Sequence, residues 1–66
     1  MTITVDGRQM EVHPGLSVAD LLRQEGEPAS HVLVEVNRTF VSPGEHQDRV
    51  LVEGDDVEII LPAFGG

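Results

Sequence analysis

The sequence contains no cysteine, so neither a disulfide nor a cysteine-ligated metal can stabilise its fold. A chain of 66 residues has enough surface for only one core. Such a small domain buries only about 60% of the surface that its unfolded chain exposes. The 39% of hydrophobic residues must therefore form an ordered core without covalent help, which leaves little room for a deep internal active site.

Basic residues are also scarce, and lysine is absent altogether. Twelve acidic residues oppose four arginines, which gives a formal net charge of -8. Such an acidic surface repels phosphate backbones and anionic membranes, so we expect no nucleic-acid partner and no membrane partner. The charge suits an electropositive protein partner, and it equally suits a small protein that only has to stay soluble.

Long apolar stretches are missing as well. No segment approaches the roughly 20 residues that a helix needs to cross a bilayer. The first three residues place no basic segment ahead of an apolar one, so no secretory signal is evident. We therefore expect a cytoplasmic protein.

The first third of the chain predicts a β-hairpin followed by a helix. Residues 3–5 and 10–12 alternate apolar with polar side chains, and Asp6-Gly7 between them suits a tight turn. Ser17 can cap the helix, and Gly26 is a natural left-handed stop. The apolar face of this helix consists of Val18, Leu21 and Leu22.

The remainder of the chain predicts three further strands. Residues 32–36 are rich in β-branched side chains, which is typical of a buried strand, and a turn connects them to a brief strand at 40–41. The polar stretch 42–48 is interpreted as a surface loop. Residues 54–56 predict a turn, and residues 57–61 after it predict the last strand.

This order of elements predicts an α+β domain of the ubiquitin-like β-grasp type, a mixed sheet of four to five strands with one helix across one face. The two terminal strands would be parallel neighbours at the centre of the sheet. Residues 1–61 would form the domain, and residues 62–66 a flexible tail that ends in Gly-Gly. The inward-facing strand residues would be Ile3, Val5, Val34, Val36, Val57 and Ile59.

The predicted tail has no evident structural purpose. Pro62 cannot donate to a sheet ladder, and Gly65 and Gly66 add no packing while carrying the greatest backbone entropy. A Gly-Gly end is slim enough to thread a narrow channel into another protein's active site. There, ATP could convert the Gly66 carboxylate to an acyl-adenylate, and a sulfur nucleophile could displace AMP to leave a thiocarboxylate. Because the chain has no cysteine to carry a persulfide, its terminus is the remaining candidate for this chemistry.

Phe64 is the large apolar residue nearest the end of the tail. It either folds back on the sheet or anchors the tail in a partner's channel, and we favour the partner because aromatic anchors dominate interfaces. Phe40 and Val41 could extend the same surface, although we expect at least one of them to pack in the core.

The other polar residues do not indicate a catalytic or metal site. His13, His31 and His46 are scattered without ligand-like spacing, and we interpret them as solvated surface histidines. Asp55-Asp56 follows Gly54 in a turn, where aspartate commonly bonds nearby backbone amides rather than a cation. We therefore expect a substrate or carrier protein rather than an enzyme.

Four segments, in their order and spacing, resemble the ThiS/MoaD-type ubiquitin-like sulfur carriers. Residues 15–22 resemble the family's helix entry, 34–37 its strand end, 53–59 its turn and last strand, and Gly65-Gly66 its tail. Within this family the chain is most similar in length to the carrier of the thiamine pathway.

The resemblance implies a reaction cycle carried out by other proteins. A ubiquitin-activating-like adenylyltransferase would use ATP and Mg²⁺ to adenylate Gly66, with Gly65 and Phe64 threading its active site. A cysteine desulfurase or rhodanese relay would load the sulfur, and a sulfur-acceptor enzyme such as thiazole synthase would receive it. The chain itself would bind no cofactor and no metal.

Several alternatives remain open. The Pro-containing segment before Gly-Gly resembles the molybdopterin-synthase small subunit, and related carriers serve cysteine or homocysteine synthesis. A ubiquitin-like protein modifier and a passive interaction module are two further classes. The lack of lysine favours a carrier or a modifier over a passive module, since self-conjugation is then limited to the Met1 amine.

Overall fold

The computed structural model describes residues 1–62 of the chain. These residues fold into one mixed sheet and one principal helix. The sheet order is β2-β1-β5-β3-β4, with β1 and β5 parallel and the other neighbours antiparallel. This is the predicted β-grasp arrangement, with five strands. The elements are β1 (Thr2–Val5), β2 (Arg8–Glu11), α1 (Val18–Glu25), β3 (Leu33–Val36), β4 (Thr39–Val41) and β5 (Asp56–Ile60).

Local sequence signals explain both the hairpin and the helix ends. Asp6 and Gly7 have φ angles of 50° and 83°, which gives the hairpin turn the twist that its strands need. Ser17 and Asp20 form a capping box at the start of α1. Gly26, with φ of 72°, ends the helix in the left-handed conformation. The Asp6-Gly7 turn, the Ser17 cap and the Gly26 stop confirm the sequence predictions.

The core lies between α1 and one face of the sheet. The helix contributes its predicted face of Val18, Leu21 and Leu22, all at most 2% exposed. The strands contribute the predicted inward residues, of which Ile59 is only partly buried. The buried strand residues are Ile3, Val5, Val34, Val36, Val41 and Val57.

The stretch 42–48 is more ordered than the surface loop predicted for it. It contains a 3₁₀ turn at Pro43–Glu45, and a second such turn, Ala29–His31, precedes β3. Two strands differ by one residue from their predicted bounds. The strand predicted at 32–36 begins at Leu33, and the strand predicted at 57–61 spans Asp56–Ile60. In the described residues, no helix has the length and apolar character needed to span a bilayer.

The prediction of a solvated His46 is wrong, because this side chain is only 4% exposed. Its Nε2 lies 3.2 Å from the carbonyl oxygen of Val41 at the end of β4. Its own carbonyl oxygen accepts the Ala19 N–H at 2.9 Å. The residue therefore ties the edge of the sheet to the first turn of α1. His13 and His31 are exposed, as predicted.

Candidate functional site

The predicted site residues Phe64, Gly65 and Gly66 lie outside the described residues, so the site is characterised by the strand that leads to them. That strand, β5, is the central strand of the sheet. Its last residue, Ile60, pairs with Leu33. Leu61 follows with 65% of its surface exposed. The chain thus leaves the sheet from its middle rather than from an edge strand.

An apolar patch borders this point on the sheet face turned away from the core. Phe40, Leu33 and Ile60 are 54%, 43% and 36% exposed, and we call them the outer-face patch. Leu33 is opposite Ile60 in the strand register, so these two side chains share a face. Phe40 is opposite Glu35, which lies two residues after Leu33 on β3 and therefore on the same face as Leu33. Val41, next to Phe40, is buried, which confirms that one of these two residues packs in the core.

Two carboxylates lie beside the outer-face patch. Glu35 and Glu58 are direct register partners on β3 and β5, an arrangement in which like charges destabilise a sheet. Among the described residues, neither forms a salt bridge. An apolar patch beside unneutralised carboxylates is chemically suited to a partner with apolar and basic side chains.

The start of β5 is held by a side-chain network. Asn37 Nδ2 donates to Asp55 Oδ1, and Asn37 Oδ1 accepts the Asp56 N–H, both at 2.9 Å. Asp55 is buried, and its Oδ2 accepts the Val52 N–H at 2.9 Å. The predicted bonding of Asp55 to a nearby backbone amide is therefore confirmed. Sequence reasoning missed the part played by Asn37, although an Asn-Arg turn between two strands is a recognisable signal for a left-handed residue.

A groove of about 470 Å³ lies on the helix side of the sheet. Its walls include Leu22, Pro28, Ala29 and Pro43, and His46 also lines it. His46 Nδ1 has no hydrogen-bond partner within the described chain. The same residues 1–62 hold no group of three or more histidine or acidic side chains placed to bind a metal ion.

The two carboxyl groups with shifted pKa values serve helix ends. The Ser17 backbone N–H and hydroxyl, followed by Arg23, hold the pKa of Asp20 below its ordinary value. The Ser42 hydroxyl and then its backbone N–H lower the pKa of Glu45 in the same way. Both shifts arise from hydrogen bonds to the ionised form, so they reflect local capping rather than acid–base chemistry.

The sheet order and the centrally placed final strand define a small ubiquitin-like β-grasp domain. The model of the ThiS family matches residues 2–66, so the chain belongs to the ThiS family, as the resemblance implied.

Solved structures agree with this assignment. The crystal structure of a thiamine biosynthesis protein (ThiS) from Geobacter metallireducens has a TM-score of 0.88 and 29% sequence identity, and the match covers 100% of both chains. The NMR solution structure of a thiamine biosynthesis protein from the same organism has a TM-score of 0.81 and 29% identity. That match covers 100% of this chain and 88% of the other. The comparison with curated proteins gave no match.

Proposed function

We propose that this protein is a sulfur carrier for thiamine biosynthesis and that its reactive group is the carboxylate of Gly66. An adenylyltransferase partner would join this carboxylate to the AMP portion of ATP, with release of pyrophosphate. Sulfide, or a donor that delivers sulfur at the oxidation level of sulfide, would then displace AMP and leave a C-terminal thiocarboxylate. This thiocarboxylate would donate its sulfur to an acceptor enzyme such as thiazole synthase.

The observation that carries the proposal is the extent of the family match. It runs from residue 2 to residue 66, so Gly65 and Gly66 lie inside it together with the folded domain. The name of the two similar structures, thiamine biosynthesis protein, supports the choice of pathway. The absence of cysteine supports the choice of the terminal carboxylate, because no side-chain thiol is present to carry sulfur.

The geometry supports a division of labour between domain and tail. The outer-face patch would dock on the adenylyltransferase while Phe64 and the two glycines enter its active site. Mg²⁺ and ATP would be bound by that enzyme. Because Ile60 belongs to both the patch and β5, docking of the patch would set the distance from the surface to the reactive carboxylate.

Deletion of Gly66 is expected to abolish adenylation and leave stability unchanged. The residue lies beyond the last strand and adds no side chain to the core, whereas the adenylated atom must reach a fixed position. The measurements are thermal melting and ATP–pyrophosphate exchange by the cognate adenylyltransferase. Gly44→Ala is a matched control, since an added Cβ there meets open space and its φ is not positive.

Two results would contradict the proposal. One is exchange at the normal rate by the protein that lacks Gly66. The other concerns the intact mass of the protein purified from its own host, where a thiocarboxylate adds the mass difference between sulfur and oxygen. A series of heavier covalent conjugates in place of that small gain would identify a protein modifier instead.

A further inference from the structure

The backbone hydrogen bonds of β5 alternate between its two neighbours. The carbonyl of Val57 accepts the Asp6 N–H at 2.9 Å, so this residue is directed towards β1. The carbonyl of Asp56, the residue before Val57, accepts the Asn37 N–H at 2.7 Å, so Asp56 is directed towards β3. Because the alternation has a period of two, the backbone groups of residues 59 and 61 are directed to the β1 side.

On the β1 side, β5 extends beyond the end of β1. The last parallel pair is Val5 with Val57, after which the chain turns away at Asp6. On the other side, pairing with β3 continues to Ile60. The Asp6 carboxylate accepts the Ile59 N–H at 2.9 Å and so replaces one missing strand contact.

Beyond that contact, an edge of the central strand is open. Within the described residues, the Ile59 carbonyl and the Leu61 N–H and carbonyl have no protein hydrogen-bond partner. Leu61 is 65% exposed and Ile59 is partly buried, so this edge lies at the surface of the domain. An unpaired strand edge is a template for another extended segment, and charge, turns or prolines usually protect it.

We propose that this open edge, residues 59–61, is a docking site for an extended segment of the adenylyltransferase, which adds to the sheet as a short strand in line with β1. The inference rests on the proposed function and specifies how the partner holds the strand that leads to Gly66. Two or three main-chain hydrogen bonds would fix the direction of the chain just before the tail. Beside the edge lie Ile60 and Glu58, so the added segment carries apolar and basic side chains.

Charge argues against a second copy of this chain as the occupant. Two molecules, each with a net charge of -8, repel one another when they approach edge to edge. An edge of only three residues gives too few hydrogen bonds to offset that repulsion. A basic segment of the partner enzyme is attracted by the same charge.

The test removes the Leu61 N–H and compares each altered chain with a control that keeps this donor. Leu61→Pro deletes this donor, and Leu61→Ala is the matched control that keeps the donor and loses only the side chain. A synthetic chain with an ester in place of the Leu61 amide keeps the side chain as well. The proline and ester chains should each bind the purified adenylyltransferase about three- to tenfold more weakly than their donor-bearing counterparts, the effect of one hydrogen bond. Their melting temperatures should match those of the counterparts, since Leu61 follows the last paired residue.

Amide hydrogen exchange measures the proposed contact directly. Exchange of the Leu61 amide should slow by about tenfold or more in the complex with the adenylyltransferase. Equal binding of the donor-deleted chains and their counterparts, with Leu61 exchanging as fast in the complex as in the isolated protein, would overturn the edge site while leaving Gly66 adenylation intact. If Leu61 is protected but Gly66 is never adenylated, the edge site stands and the proposed function fails.

Discussion

At the scale of single residues, Asn37 links the end of β3 to the start of β5. Its side chain bonds both Asp55 and Asp56, and its backbone N–H bonds the Asp56 carbonyl. Its φ of 52° lies in the left-handed region, which asparagine tolerates better than most non-glycine residues. The residue thus combines a turn conformation with a long-range link between β3 and β5.

Replacing Asn37 separates these two contributions. Asn37→Ala should lower the free energy of unfolding by about 1–3 kcal/mol, because a buried Asp55 oxygen loses its donor. Asn37→Gly loses the same hydrogen bonds but accepts the positive φ, so it should be about 1–2 kcal/mol more stable than the alanine variant. Urea unfolding measures both values. Equal stability of the two variants would show that the left-handed conformation costs nothing at this position.

At the scale of elements, α1 depends on its ends and on its packing. It has eight residues, and an isolated helix of that length is marginal in water. Ser17 and Asp20 satisfy each other's backbone N–H groups at its start. The ionised Asp20 carboxylate accepts the Ser17 N–H, so this half of the capping box is coupled to the protonation of Asp20.

Acid should therefore weaken the helix start. The pKa of Asp20 in the folded protein lies below its ordinary value of 3.8, so folding favours the ionised carboxylate. The ionised Asp20 carboxylate makes its full contribution to the free energy of unfolding at pH values above 3.8. That contribution is lost as the pH falls through the lower pKa of the folded state. Asp20→Asn should consequently lose less stability than the wild type as the pH falls from about 5 to 2.

The control for this experiment is Glu25→Gln, which removes one charge from the same helix without touching the capping box. Urea unfolding at a series of pH values gives the comparison. The control should keep the acid sensitivity of the wild type. Glu45, whose pKa is lowered by Ser42, should remain a source of acid sensitivity in all three proteins. If Asp20→Asn and the wild type lose stability in parallel, Asp20 ionisation is not coupled to folding.

At the scale of the whole molecule, charge is the dominant surface property. The net charge of -8 comes with two carboxylates, Glu35 and Glu58, placed opposite one another on the outer sheet face. That placement costs stability, since like charges directly across a sheet repel. A benefit in recognition would account for it, because a negative face attracts an electropositive partner over roughly 10 Å at ordinary salt.

Glu58→Gln should reveal whether that face steers association. It should slow binding to the proposed adenylyltransferase partner more than Glu25→Gln does, although both variants change the net charge equally. It should also raise the free energy of unfolding by about 0.2–1 kcal/mol by relieving the pair with Glu35. Stopped-flow association rates at low and high ionic strength test the first effect. Identical rates for the two variants would assign the acidity to solubility alone.

Much of the fold followed from the sequence because its signals are local. Alternating side chains, the Asp6-Gly7 turn, the Ser17 cap and the Gly26 stop act over a few residues, and each predicted its element correctly. The β-grasp order followed because those elements leave few ways to bury one helix face against one sheet. The family resemblance, carried by short motifs in a fixed order, was confirmed for the same reason.

The candidate site depended on contacts between distant parts of the chain. In the sequence, His46 lies in a polar stretch that predicts a surface loop. In the structure, this loop packs over the helix and the sheet edge and thereby buries His46. The outer-face patch arises from the register that places Leu33 opposite Ile60, and the open edge from β1 ending before β5. The roles of Phe64, Gly65 and Gly66 stay predictions, since those residues lie outside the described chain. Local patterns determined the elements, whereas sheet order and register decided which side chains and backbone groups surround the end of β5, because only pairing between distant segments brings them together.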